Sequence, residues 1–127
     1  MPHFIIECSD DIIEQKTPDE IMQAVYEAAE GTGLFAEDDI KVRINPYKYY
    51  KLGNTKKDFI HIFGNIMEGR SVEQKSNLSR KIIERLTLMF PDISILSMNI
   101  REFERATYSN KSLINPLNIN KDRHFRA

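Results

Sequence analysis

Two helix-start signals spaced 54 residues apart, Thr17-Pro18-Asp19-Glu20 and Ser71-Val72-Glu73-Gln74, constrain this chain more than any other feature. Each is a capping box. A Thr or Ser hydroxyl accepts from the backbone N–H three residues on, and the Glu or Gln there reaches back to the cap's own N–H. Pro18 adds a residue already set for the first helical position. Behind the first box, Ile21, Val25, Ala28 and Ala29 recur at helical spacing until Gly31-Thr32-Gly33 stops them. Behind the second, Leu78, Ile82, Leu86 and Phe90 form a stripe, widened by Ile83 and Met89, that ends before Pro91. Short β-type runs flank each helix, 3–8 and 39–45 around the first, 58–66 and 93–103 around the second. Their landmarks repeat, Phe4 to Phe59 and Ile40 to Ile95 both 55 apart, although the residues barely match. A strand–helix–strand unit closes as a right-handed crossover with parallel strands. The pattern therefore predicts an α+β fold: two tandem βαβ units forming a four-stranded sheet with two helices on one face.

At 127 residues the chain is expected to be a single domain spanning 1–127, with units at about 2–46 and 57–103. A polar tail, 104–127, contains Asn115-Pro116 and is expected to pack on a neighbour. Apolar residues of the first and third strands also reach the sheet face away from the helices. Left open, they would make a large exposed patch, so symmetric self-association is expected. The Tyr- and Lys-rich segment 46–57, with Leu52-Gly53-Asn54 at its tip, reads as a solvated hairpin; residues 47–57 could instead rim a pocket. The 18 basic and 19 acidic residues give no electrostatic case for nucleic acid or an anionic membrane. No run approaches the ~18 apolar residues of a membrane span, and no secretory leader is visible. The lone Cys8 excludes an internal disulfide and reads as a buried, inert thiol in a reducing compartment. A soluble cytoplasmic protein is expected.

Dinucleotide and phosphate loops, metalloprotease motifs and paired cysteines are absent from the sequence. His3, His61 and His124 are scattered and read as structural or surface residues. The pairs Asp10-Asp11 and Asp38-Asp39 read as loop and cap residues rather than a metal site. What remains is Pro2 and a set of cations. If Met1 is trimmed, the Pro2 nitrogen becomes a free secondary amine held in a ring at the start of a strand. An ordinary chain amine titrates near ~7.7–8.0, and burial or positive neighbours lower that value. Alone, Pro2 reads as a chain end with no amide hydrogen to satisfy. In 39–45 the apolar Ile40, Val42 and Ile44 point one way, and Lys41, Arg43 and Asn45 the other. Arg70 precedes a helix N-terminus, where backbone N–H groups favour an anion. Together these residues suggest an amine that abstracts a proton α to a carbonyl. The cations would hold the substrate's carboxylates, stabilise the enolate and depress the amine's pKa.

With these residues assembled, the chain resembles the tautomerase superfamily and, within it, is similar to 5-carboxymethyl-2-hydroxymuconate isomerases. Two stretches carry the likeness: the opening Met1-Pro2-His3-Phe4-Ile5-Ile6-Glu7-Cys8-Ser9-Asp10, and Glu68-Gly69-Arg70-Ser71-Val72-Glu73-Gln74-Lys75, which also resembles the 4-oxalocrotonate tautomerases. The resemblance implies a homotrimer of tandem βαβ protomers, one active site in each and no cofactor. It implies Pro2 as the general base and Arg70 as a carboxylate-binding residue. The family's second-strand pattern, Ile-Arg-x-Arg, is Ile40-Lys41-Val42-Arg43 in this chain, so Arg43 is kept while Lys41 keeps the charge without the bidentate fork. The position matching Pro2 in the second unit is taken as Lys57, an internal residue whose backbone nitrogen is an amide rather than a free amine. The implied reaction is a proton shift in an unsaturated 2-hydroxy or 2-oxo di- or tricarboxylic acid. A hydratase or dehalogenase on the same scaffold, with Lys41 retuning the pocket, and a non-catalytic oligomeric binding protein are the other readings.

Overall fold

The computed structural model describes residues 1–114. The chain runs through β1 (His3–Ser9), the short helix α1 (Ile12–Gln15), α2 (Pro18–Glu30), a 3₁₀ turn (Glu37–Asp39), β2 (Lys41–Tyr47), β3 (Phe59–Met67), α3 (Val72–Met89), β4 (Ile95–Phe103) and α4 (Lys111–Ile114). Both capping boxes form. The Thr17 hydroxyl accepts from the Glu20 N–H at 3.1 Å, and the Ser71 hydroxyl accepts from the Gln74 N–H at 3.1 Å. Each box's carboxylate or amide oxygen accepts from the cap N–H in return.

The strands form one sheet in the order β2-β1-β3-β4. β1 pairs parallel with β2, β3 parallel with β4, and the two units join antiparallel through β1 and β3. Phe4, Ile6, Ile60, Ile62 and Ile66 share one sheet face and pack with Ile21, Val25, Leu78, Ile82 and Leu86 of the two long helices into a single core. Gly64 lies opposite Phe4 because nothing larger fits: a Cβ there would sit 2.8 Å from Met98 Cε and 3.0 Å from Ile100 Cδ1. Cys8 is buried, and its thiol is pushed up to about 11, by burial first and then by the Asp10 carboxylate, which keeps it inert.

Several expectations change. The segment 46–57 is not a hairpin, because β1 lies between β2 and β3 and the connection must cross the end of β1. Pro46 is inside β2, opposite Cys8; β2 is an edge strand, where a missing N–H costs the ladder nothing. The 55-residue landmarks fall on opposite faces, since Phe4 is in the core whereas Phe59 packs on Tyr47 and Tyr50 across the sheet. Side chains alternate with period two, so an even offset superposes the units: β1 begins at His3 and β3 at Phe59. Asp58, not Lys57, then precedes the strand as Pro2 does. The face away from the helices carries Ile5, Phe59 and Phe63, but also His3, Glu7, His61, Asn65, Asn99 and Arg101, so it is mixed rather than greasy. The first part of the tail folds onto its own chain: the Arg105 N–H donates to the Glu68 carboxylate, and Leu113 is buried. Asn115-Pro116, His124 and the rest of 115–127 lie outside the described residues. Among the described residues no helix is long and apolar enough to cross a membrane.

Ile62 is fully buried in the centre of the sheet, between Ile6 and Met98. Ile62→Ala should lower the free energy of unfolding by about 2–5 kcal/mol in urea titrations, through lost transfer energy and a residual cavity.

Candidate active site

Strand direction decides which distant residues meet. β1 and β2 are parallel and begin at one end of the sheet, while β3, antiparallel to β1, finishes there with β4 beside it. That end gathers Pro2, Lys41, Asn65 and Phe103, and the N-terminus of α3 follows directly from β3 through Gly69-Arg70. The Lys41 N–H donates to the Pro2 carbonyl at 3.1 Å, continuing the ladder to the start of the chain. The Pro2 ring is fully buried, on the core side of the strand like Phe4.

The amino terminus carried by Met1 is pulled down from 8.0 to about 6. Burial contributes most, then a hydrogen bond with Lys41 and the charge of Lys41, with the Asp39 carboxylate opposing. Lys41 Nζ itself donates to the Asp39 carbonyl at 2.7 Å. Lys41 and Arg43 project from the same side of β2, away from the helices, alternating with Val42 and Ile44, which pack on the core. The strand register leaves neither pointing inward. Arg43 Nη1 donates to His3 Nδ1 at 3.1 Å.

Arg70 is held differently. Its Nη2 donates to the Leu34 carbonyl at 2.7 Å and its guanidinium lies 5.5 Å from the centre of the Phe35 ring. Phe35 in turn meets Phe4 edge-on at 6.2 Å. Gly69, at φ 117°, makes the turn that delivers Arg70 to this loop, a conformation L side chains rarely adopt. The ion pairs among the described residues are Lys75–Glu102 and Arg85–Glu27, so none joins a carboxylate to Lys41, Arg43 or Arg70.

Of the residues singled out in the sequence, the fold brings Lys41 to Pro2, and sets Arg43 two residues along β2, opposite Ile5 and against His3. It sets Arg70 at the same end of the sheet, on the side of the α2–β2 loop. Asn65 and Arg101 at this end were not singled out, and His3 was read as a structural or surface histidine. His3 meets Arg43, Asn65 Nδ2 donates to the His3 carbonyl at 3.3 Å, and Arg101 Nε donates to Asn65 Oδ1 at 3.0 Å with its guanidinium 4.4 Å over Phe63. Lys41, His3, Asn65 and Arg101 form one row across all four strands. Alternation marks each as outward, but only the register joins them. Among the described residues no three His, Cys, Asp or Glu side chains converge as a metal ion would need.

Residues 2–117 match the family model for 5-carboxymethyl-2-hydroxymuconate isomerase. The chain is 28% identical over 109 residues to the 5-carboxymethyl-2-hydroxymuconate Delta-isomerase of Escherichia coli, covering 80% of this chain and 86% of that protein. Its structure is similar to a 5-carboxymethyl-2-hydroxymuconate isomerase from Deinococcus radiodurans R1, with a TM-score of 0.76, 25% identity, and coverage of 95% of this chain and 94% of that one. It shares its fold with a fused 4-OT wild-type asymmetric trimer at a TM-score of 0.71 and 14% identity, over 86% of this chain and 92% of the other.

An amine whose folded value lies below its ordinary 8.0 is favoured uncharged, so between about 6 and 8 the unfolded chain binds more protons and stability rises with pH. Removing a cation weakens that preference. Lys41→Gln should raise the terminal amine's titration midpoint part of the way back toward 8.0, as read by pH-dependent amine labelling and mass spectrometry.

Proposed function

The chain belongs to the 5-carboxymethyl-2-hydroxymuconate isomerase family and is an isomerase of the tautomerase type; on that premise we propose that it moves a proton within an unsaturated 2-hydroxy or 2-oxo di- or tricarboxylic acid, with Pro2 as the base and no cofactor. The observation that carries the proposal is the buried chain start beside Lys41, where an amine is already depressed to about 6. Removal of Met1 turns the Pro2 nitrogen from an amide into a secondary amine at this place. Such an amine is neutral for much of the time near pH 7, as a general base must be.

The neutral nitrogen takes a proton from the carbon α to the carbonyl of a 2-oxo acid, or from the enol oxygen of a 2-hydroxy acid. The electron pair left behind spreads onto oxygen as a dienolate, and the same proton returns to a different carbon. Reactant and product hold the same atoms and no electrons leave. Arg70 binds one carboxylate; Lys41 and Arg43 bind another and stabilise the dienolate oxygen. At Lys41 a compact ammonium stands where the family pattern has a guanidinium, which retains attraction and loses two-point geometry. The protein acts as a homotrimer in the cytoplasm, in the breakdown of homoprotocatechuate-type aromatics. Support for the trimer comes from the trimeric 4-OT that shares the fold; a reducing compartment suits the free Cys8.

Intact mass should show loss of Met1, and ultraviolet absorbance should follow ketonisation of 2-hydroxymuconate-type acids. Pro2→Ala should lower kcat by about 10²-fold or more, and the wild-type rate should fall as acid protonates the amine. Full activity in Pro2→Ala would defeat the assignment.

A further inference from the structure

Resting on the reading of Arg43 as a carboxylate-binding residue, we propose that His3 is the positioning residue that presents Arg43 to the substrate, accepting its Nη1–H through an unprotonated Nδ1. The two atoms are 3.1 Å apart. A guanidinium has five donors, no acceptor, and keeps its proton in proteins. The imidazole must therefore supply the lone pair, which puts the ring's proton on Nε2. A protonated His3 has an N–H at both nitrogens and would set donor against donor and charge against charge. The contact exists only while His3 is neutral.

The acceptor is held rigidly. His3 is paired on both sides, to Lys41 of β2 and Asn65 of β3, and Asn65 Nδ2 donates to the His3 carbonyl at 3.3 Å. Its ring meets Phe103 of β4 edge-on at 6.1 Å, and Phe103 leans on Tyr108 at 5.7 Å. The charged groups that face it are Arg43 and Lys41 from β2, the terminal amine of its own strand, and Arg101 of β4 through Asn65 of β3. His3 lies below its ordinary 6.5, through burial first, then Arg43, Lys41 and the terminal amine.

Arg43 needs such an anchor. It is exposed and long, and Lys41 repels it from two positions back on the same face. One Nη1–H spent on His3 fixes the guanidinium plane and leaves the remaining donors for the two parallel bonds a carboxylate accepts. Lys41 is tied by its Nζ to the Asp39 carbonyl at 2.7 Å and, as a compact ammonium, offers charge without a two-point fork. Acid should then weaken carboxylate binding through His3, separately from protonation of the catalytic amine.

The test uses the full chain, ¹⁵N-labelled, and fumarate as the probe. Long-range ¹⁵N–¹H spectra should show His3 at pH 7.5 as the Nε2–H tautomer, and Arg43→Gln should raise its midpoint. Fumarate affinity of the wild type, read from shift perturbation, should fall about tenfold between pH 8 and pH 5.5. His3→Leu should be about tenfold weaker at pH 8. His3→Asn, which places a non-titrating acceptor where Nδ1 stood, should restore affinity and flatten its pH dependence. An Nδ1–H or charged ring at pH 7.5, a His3→Leu protein that binds as the wild type does, an His3→Asn protein that keeps the acid loss, or a wild type that does not bind fumarate would each overturn the role. Fumarate binding with these variant effects but no turnover of 2-hydroxymuconate would sink the isomerase substrate assignment and leave this one standing.

Discussion

The first strand of this chain is an inner strand. β1 has β2 on one side and β3 on the other, so the chain begins in the middle of a sheet rather than at its rim. Most termini are poorly ordered unless something ties them down; here two ladders do, and the Lys41 N–H extends the tie to the Pro2 carbonyl. Everything proposed for this end follows from that confinement. It removes water from the amine and brings the first outward residue of β2 beside it. It also sets the end of β3, with Gly69 and Arg70, at the same end of the sheet.

Confinement alone would only make the amine a poor cation. In the proposed function it is the cation beside it, Lys41, with Arg43 next along β2, that would make this end of the sheet a site. Lys41 acts on the amine, and Arg43 and Lys41 act on His3; the amine and His3 are the members able to yield a proton. Both lie below their ordinary values, with Lys41 among the causes of each. No ion pair among the described residues gives Lys41, Arg43 or Arg70 a carboxylate.

The helices were legible because their signals are local. Thr17-Glu20 and Ser71-Gln74 are read within four residues, and each box forms as its pattern dictates. The alternation of Lys41 and Arg43 against Val42 and Ile44 was equally local and holds. What failed depends on pairing partners. A 55-residue offset matches spacing yet turns Phe59 to the wrong face, since one residue reverses every side chain of a strand. Pro46 looks like a strand end until β2 is known to be an edge. His3 looked like a surface histidine because nothing within the chain's first nine residues predicts Arg43, 40 positions away, as its partner. The row from Lys41 through His3 and Asn65 to Arg101 belongs to the register and to no motif.

The most direct test of the account is the charge state of Pro2 in the mature protein. With Met1 removed and proline ¹⁵N-labelled, the nitrogen of Pro2 can be titrated by NMR. Its midpoint should lie clearly below the ~8 of an ordinary chain amine and rise when Lys41 is replaced by glutamine. A nitrogen that stays protonated to pH 8 or beyond in the wild type, indifferent to Lys41, would contradict the account.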